Sequence, residues 1–564
     1  MKFQDYPYKR PSFVDVKLEM ESLIAKFETA ESAEEQLKVI DEINAIRNTI
    51  STMQNLCYVR YTINTKDPFY EKEQEYWDEY EPQYATLTSA FYQAIMTSPY
   101  IEEIKQNTPE TFIKCIEFDL RSFDEIIVED LQTENKLVSQ YNKLIAAAQI
   151  PFDGKTVTLA QLTPYLYSKN RSQRQEALQT KSKFFEDNLE ELDSIFDQLV
   201  KVRTEMAKKL GFKSFTELGY LRMNRYDYDE TMVQKFRQQV LDYIVPLNNK
   251  LYQKQATRLG LDSLASYDEQ YVFQSGNATP VGDSDFIVKQ ARKMYHELSE
   301  ETKEFIDLML DNELVDLESK KGKAAGGYCT DFINYKVPFI FSNFNGTKGD
   351  VTVLTHEAGH AFQFYNSFHI TYPESLNPTY ESCEIHSMSM EFFTWPYMEY
   401  FFEDQADKFR YAHLEDALKF IPYGVLVDHY QHEVYANPNA PPQERRQMWR
   451  NLEKQYLPHK NYGDNPFLEN GGWWYQQLHI FRYPFYYIDY TLAQICALQF
   501  WKRIQDNDPT AWSDYVHLCK LGGQKTFTGL VKEANLISPF DPNCVPSIIG
   551  TVDKWLSSID DTKF

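Results

Sequence analysis

The sequence predicts a mostly α-helical, multi-helix protein with one small β-sheet. Three observations predict it. Apolar residues recur at three- and four-residue steps between charges along most of the chain. Strand composition is confined to a short stretch around residue 340. No repeat at a fixed period marks a solenoid.

Residues 12 to about 150 read as long amphipathic helices, as in Val14-Leu18-Leu23-Ile24-Phe27 and Leu37-Ile40-Ile43-Ile46-Ile50, punctuated by Pro99 and Pro109. The pattern resumes over Ser172–Leu210 and Asp229–Leu259. Lys320–Tyr328 is then a Gly-rich loop without the spacing or terminal Lys-Ser/Thr of a phosphate-binding loop. Tyr335–Phe344 has strand composition, with a proline that suits an edge, and Asn345–Asp350 is turn chemistry. Two uses fit the strand: a plain hairpin strand, or an edge that pairs with an extended peptide through Phe341 and its neighbours.

Composition narrows the function. The 564 residues carry 83 acidic and 58 basic side chains, a formal charge of −25, which repels phosphate backbones and anionic lipid. Nucleic-acid and membrane partners are therefore not expected. The seven cysteines are odd in number, widely spaced and without a CxxC pair, so a reducing compartment fits better than a disulfide framework. Neither an apolar leader nor an apolar run of about 18 residues is readable. The expected setting is cytoplasmic; the oligomeric state is left open.

The chemistry concentrates in His356-Glu357-Ala358-Gly359-His360. Asp350 is the expected N-cap of a helix over Val351 to about Tyr365, with Leu354, Ala358, Ala361, Phe362 and Tyr365 on its packing stripe. His356 and His360 stand four residues apart on another face, where both imidazoles reach one Zn²⁺ at ~2.0–2.1 Å. Glu357 lies ~100° round the helix, placed to act on water as a general base without ligating. Two surface histidines on an ordinary helix are the bland alternative, and the position after a strand and turn argues against it.

A catalytic zinc needs a third protein ligand. The stretch Thr379–Phe393 offers Glu381, Glu384 and Glu391 on one helical face, and His386 beside them; periodicity does not choose among the four. Nearer the C-terminus, Gly471–Tyr490 reads as a Gly-hinged loop leading into a helix crowded with tyrosines. Tyr483, Tyr487 and Tyr490 are spaced four and three residues and share one face. That face either packs or presents hydroxyl donors to an oxyanion.

The segments HEAGHAFQ (356–363), CEIHSMSME (383–391) and this Tyr-rich stretch together resemble the thimet-oligopeptidase and oligoendopeptidase F family of zinc metallopeptidases, on the bacterial oligoendopeptidase F and Pz-peptidase side. The resemblance implies one Zn²⁺ per chain held by His356, His360 and Glu384, with Glu391 orienting a ligand. It implies that Tyr487 and Tyr490 stabilise the transition state and that Tyr483 helps position substrate. His479, one residue off the family's spacing, is expected as a further catalytic residue. It also implies a two-lobed molecule with a deep channel, here expected as a helical lobe over 1–190 and a catalytic region over 191–564. The Gly326-Gly327 loop is expected to close on a short peptide whose internal bonds are cut. A zinc exopeptidase of dipeptidyl-carboxypeptidase type and a non-catalytic peptide-binding protein are the alternatives, and the intact Glu357 argues against the second. His429 and His432, which lack the H-E-x-x-H order, are expected to be structural.

Overall fold

Caps and prolines set the ends of the long N-terminal helices. In the computed structural model, which describes residues 1–324 and 326–564, Ser12 caps Phe13–Glu28 by accepting from the Asp15 N–H, and Ser32 caps Ala33–Ile63 through Glu35. Asp67 accepts from Phe69 and Tyr70, and Pro68 opens the third helix, Pro68–Met96. The molecule is mostly α-helical with only small sheets.

The chain forms two compact units, each discontinuous in sequence. The first takes residues 1–120, 279–406 and 496–536; the second takes 121–278, 407–495 and 537–564. Residues 1–190, expected as one lobe, thus contribute to both.

Five strands occur among the described residues. In the second unit, β1 (Ile150–Phe152) and β2 (Lys155–Val157) pair antiparallel. Asp153 and Gly154 turn between them with φ of +50° and +70°, the left-handed pair that a two-residue hairpin requires. Ile150, Phe152 and Val157 face a small core with Leu162 and Ala177. The helical pattern over Ser172–Leu210 resolves into Arg171–Asp187 and Leu189–Lys209, which meet at Asn188. The pattern over Asp229–Leu259 is interrupted by a π-helical turn at Val240–Ile244, just before Pro246, whose missing N–H breaks the regular ladder.

In the first unit, β3 (Val315–Glu318), β4 (Tyr328–Phe332) and β5 (Val337–Phe344) form a sheet in the order β3-β5-β4. The segment expected at an edge, β5, is therefore central, parallel to β3 and antiparallel to β4. Pro338 is tolerated because pairing with β3 begins only at Ile340, so no partner on that side needs its missing N–H. Burial on both faces explains the continuous apolar run Val337–Phe341.

After β5 the chain enters the helix Lys348–Ser367, which carries HEAGH. Its N-cap is Thr347, whose hydroxyl accepts from Gly349, and not Asp350 as expected. Asp350 lies inside the first turn instead. Its buried carboxylate accepts from the backbone N–H groups of Asn345 (3.0 Å) and Gly346 (2.7 Å) and so fixes the turn that aims the helix. This helix packs on β4, β5, the helix Tyr380–Phe393 and the helix Ala511–Leu521. Among the described residues no disulfide joins the seven cysteines, and no helix is long and apolar enough to cross a membrane.

Candidate active site

His356 and His360 rise from the HEAGH helix with ring centroids 5.0 Å apart, and the Tyr380–Phe393 helix brings Glu384 against both. Glu384 Oε2 lies 3.3 Å from His356 Nε2 and 3.7 Å from His360 Nε2. Three ligands held tetrahedrally ~2.0–2.2 Å from one Zn²⁺ stand roughly 3.3–3.6 Å from one another, so this donor set fits the ion in spacing and in kind. One donor atom from each of the three residues lies within 4.8 Å of the others.

Glu391, seven residues beyond Glu384, reaches the other side of His356: Oε1 is 2.7 Å from Nδ1. A carboxylate there accepts from Nδ1 and fixes the ring so that Nε2 faces Glu384. Burial works against charge on His356, yet hydrogen bonds to Glu384 and Glu391 hold its pKa well above the ordinary value. Burial likewise opposes the Glu384 anion, and contact with His356 and His360 overcomes it and keeps the carboxyl below its usual range. His360, without a second carboxylate of its own, is pushed down to about 4 by burial and stays neutral. The other candidates stand apart from this donor group. His386 is fully buried and pushed down to about 4, and Glu381 is fully buried elsewhere on the helix.

Glu357 is 8% exposed, and burial raises its carboxyl to about 7, against the pull of His356 and with the help of Glu384 and Glu391. Its Oε2 has no hydrogen-bond partner among the described residues. A buried carboxyl with a raised pKa beside such a donor group has the chemistry of a general base.

The model of peptidase family M3 matches residues 164–541, and that of the M3 N-terminal domain matches residues 3–123. The chain belongs to peptidase family M3. It is therefore a peptidase. An oligoendopeptidase F homologue of Borreliella burgdorferi is 23% identical over 445 residues, covering 74% of this chain and 73% of the relative. Solved structures similar over the whole of this chain include PZ peptidase A and a Bacillus anthracis chain. PZ peptidase A, in a structure with an inhibitor, is 52% identical with a TM-score of 0.91 over the whole of both chains. A Bacillus anthracis chain provisionally designated oligoendopeptidase F is 53% identical with a TM-score of 0.87 and is itself covered to 99%.

In this M3 peptidase the Gly-rich loop ends beside the general-base candidate. A Cβ built on Gly327 would stand 3.7 Å from Glu357 Oε1 and 3.5 Å from the Phe341 carbonyl. Gly326 has φ +98°, and its carbonyl accepts from Asn343 Nδ2 at 2.8 Å. Ala325, between the two loop halves, lies outside the described residues. Phe341 is not a substrate contact through its side chain. It is fully buried, stacked on Tyr328 at 4.8 Å and capped by the Lys323 ammonium at 4.4 Å, because a central strand buries both faces.

The tyrosine-rich stretch belongs to the second unit and is not one helix. Leu478–Arg482 ends before Pro484, Phe485 takes φ +68°, and a new helix runs from Ile488 to Gln505. The shared-face argument for Tyr483, Tyr487 and Tyr490 therefore fails, since they do not lie on a common helix. Packing brings the rings together instead. His479 lies 4.8 Å from Tyr487 and 6.2 Å from Tyr490, and Tyr487 and Tyr490 are 5.7 Å apart. Tyr483, 48% exposed, sits at the rim of this cluster, 6.5 Å from His479. Burial raises the Tyr487 phenol, so it remains a proton donor at neutral pH. Burial and the nearby Arg482 charge push His479 down to about 4, and its Nδ1 accepts from the Gln477 amide at 2.8 Å, leaving Nε2–H as donor. Gln477, itself fixed by the Tyr423 hydroxyl at 2.7 Å, had no signal in the sequence. His432 is tied into a buried network with Tyr220, Arg237 and Asp428, and His429 bonds Tyr456, in keeping with structural roles.

Proposed function

We propose that this M3 peptidase is a zinc-dependent endopeptidase that cuts internal bonds of short peptides. The observation that carries the reading is the placement of one Glu384 oxygen 3.3 and 3.7 Å from two imidazoles whose helix also carries Glu357. His356, His360 and Glu384 would hold the ion. Bound there, Zn²⁺ supplies Lewis acidity, polarising a peptide carbonyl and lowering the pKa of water from 15.7 towards ~7.

The chain's own residues do the rest. Glu391 keeps His356 in the tautomer that presents Nε2. Glu357 takes the proton of the attacking water and returns it to the leaving amine. Tyr487 and Tyr490 donate their hydroxyls to the developing oxyanion, with His479 and Tyr483 packed about them. With β5 central, the strand edge that pairs with an extended peptide is that of β4, entered through Gly326 and Gly327 beside Glu357. Asn55 Nδ2 already occupies the Asp331 carbonyl, which confines that pairing to the Gly327–Cys329 end. The names of the similar proteins, oligoendopeptidase F among them, support internal cleavage of short peptides. Cysteines without disulfides support a cytoplasmic setting.

Metal analysis of the purified protein, with chelation and re-addition of Zn²⁺, tests the metal. The expected result is one zinc per chain and activity lost and regained with it; turnover that survives complete chelation sinks the reading. A peptide blocked at both ends tests the cleavage mode in the same assay. Internal products are expected, whereas cleavage that requires a free terminus would make the protein an exopeptidase. Tyr487→Phe and Tyr490→Phe are expected to split the tyrosine cluster. The main oxyanion donor should lose ~10²–10³-fold in kcat with little change in KM. Unchanged kcat in both would reduce the cluster to packing.

A further inference from the structure

The HEAGH helix and the Tyr380–Phe393 helix approach one another more closely at one point than two side-chain-bearing residues permit. A Cβ on Gly359 would stand 2.6 Å from the His386 carbonyl oxygen, 2.6 Å from Ser387 Cα and 3.0 Å from His386 C. All three are backbone atoms of the facing helix, so none can swing aside. Glycine is the poorest ordinary residue for a helix interior. Its presence between Glu357 and His360 therefore answers a packing need, not a helical one.

That contact lies level with the metal-competent donors. Ser387 is three residues beyond Glu384, and its hydroxyl donates to Glu384 Oε2 at 2.9 Å. This is the same oxygen that lies 3.3 and 3.7 Å from the two imidazole nitrogens. The His386 carbonyl, which would meet the Cβ on residue 359, also accepts from the Tyr515 hydroxyl at 2.8 Å, and Tyr515 is fully buried. The facing helix is thus held from behind and cannot retreat freely.

We propose that Gly359 and Ser387 are positioning residues that set the bite of the His356/His360/Glu384 site: Gly359 admits the second helix to ligand distance, and Ser387 fixes which Glu384 oxygen faces the imidazoles. This rests on the zinc reading above. An alanine at 359 needs the neighbouring backbone to move from 2.6 Å to beyond 3.0 Å, and to 3.4 Å for ordinary contact. That shift of about 0.4–0.8 Å exceeds the ~0.2 Å latitude of a zinc–ligand distance. Ser387→Ala removes no volume that the crossing needs and leaves Glu384 free to rotate.

The experiment measures zinc affinity of the full-length apo-protein by competition with a chromophoric chelator, with Zn²⁺ as the only ligand and far-UV circular dichroism as the check on folding. Gly359→Ala is expected to bind zinc about 10–100-fold more weakly than wild type, and Ser387→Ala about tenfold more weakly, at unchanged helix content. Because alanine is the better helix former, weaker binding in Gly359→Ala cannot arise from loss of the helix itself. Wild-type affinity in folded Gly359→Ala overturns the proposal; should that variant be insoluble, wild-type affinity in Ser387→Ala overturns it. Failure of the wild type to bind zinc is a different result: it removes the metal-site reading and the positioning role with it.

Discussion

Glu357→Gln is expected to lower kcat by about 10²–10⁴-fold while leaving the metal content unchanged, because it removes a proton acceptor and not a ligand. The glutamine amide matches the carboxylate in size, so the buried pocket between Gly327 and the triad stays filled. It cannot accept the proton of a water molecule or return one to a leaving amine. Glu357 lies outside the group of donors formed by His356, His360 and Glu384. Burial has already raised its carboxyl to about 7, close to the pH at which a base both accepts and releases a proton efficiently. Steady-state rates on a short fluorogenic peptide, measured beside elemental analysis for zinc, separate the two roles. Near-normal turnover with full metal would remove Glu357 from the chemistry; lost metal would make it a ligand.

What could be read in the sequence follows from what repeats along one helix. His356, Glu357 and His360 are local, so their relative directions follow from 3.6 residues per turn, and the structure groups His356 and His360 with Glu384. The choice of Glu384 over Glu381 or Glu391 depends on where two helices cross, and spacing within one helix says nothing of that. Family resemblance supplied the choice, and Gly359 supplies the physical reason for the crossing. The same limit explains β5. Its composition revealed a strand, but its position in the sheet depends on β3, a short segment with only one buried residue and no strong signal of its own. Pro338 pointed to an edge because its tolerance depends on where β3 begins to pair, which is again a fact about a partner.

The tyrosine stretch misled for a different reason. Helical periodicity does not carry across Pro484, which ends one helix, or across Phe485, whose left-handed backbone starts a new direction. The ring cluster survives because His479 from one helix, Tyr487 from the turn and Tyr490 from the next helix converge. The buried arginines of the second unit were also invisible. Arg203, Arg225 and Arg237 carry no sequence signal of burial, yet each is buried and paired, with Glu134, Asp489 and Asp428 respectively. Partners so distant in sequence leave no local trace, and a buried arginine is tolerated because a carboxylate lies against it, joined by backbone carbonyls at Arg203 and Arg225. The Asp153-Gly154 hairpin, by contrast, carried a readable turn signal in a chain whose helical pattern drew attention elsewhere.

Glu384→Ala and Glu391→Gln, on the same helix and both against His356, should differ sharply in their effect on metal. Glu384 faces both imidazoles and, on the proposed reading, would be the third ligand, so its removal would leave only two nitrogens. It is expected to abolish stoichiometric zinc and turnover together. Glu391 accepts from His356 Nδ1, at 2.7 Å, and on the proposed reading would act by orienting that ring. Glutamine keeps an acceptor at that point but loses the charge, and zinc affinity is expected to fall by about 10–100-fold while turnover returns at saturating metal. Zinc titration of the two apo-proteins, followed by rates at saturation, distinguishes them. Full recovery of Glu384→Ala by excess zinc would show that Glu384 is not a ligand. Failure of Glu391→Gln to recover would move that carboxylate from holding His356 into the ligand set or the chemistry. The ranking follows from geometry alone: one helix presents two carboxylates seven residues apart to opposite nitrogens of a single imidazole, and only the nitrogen facing His360 can share an ion with it.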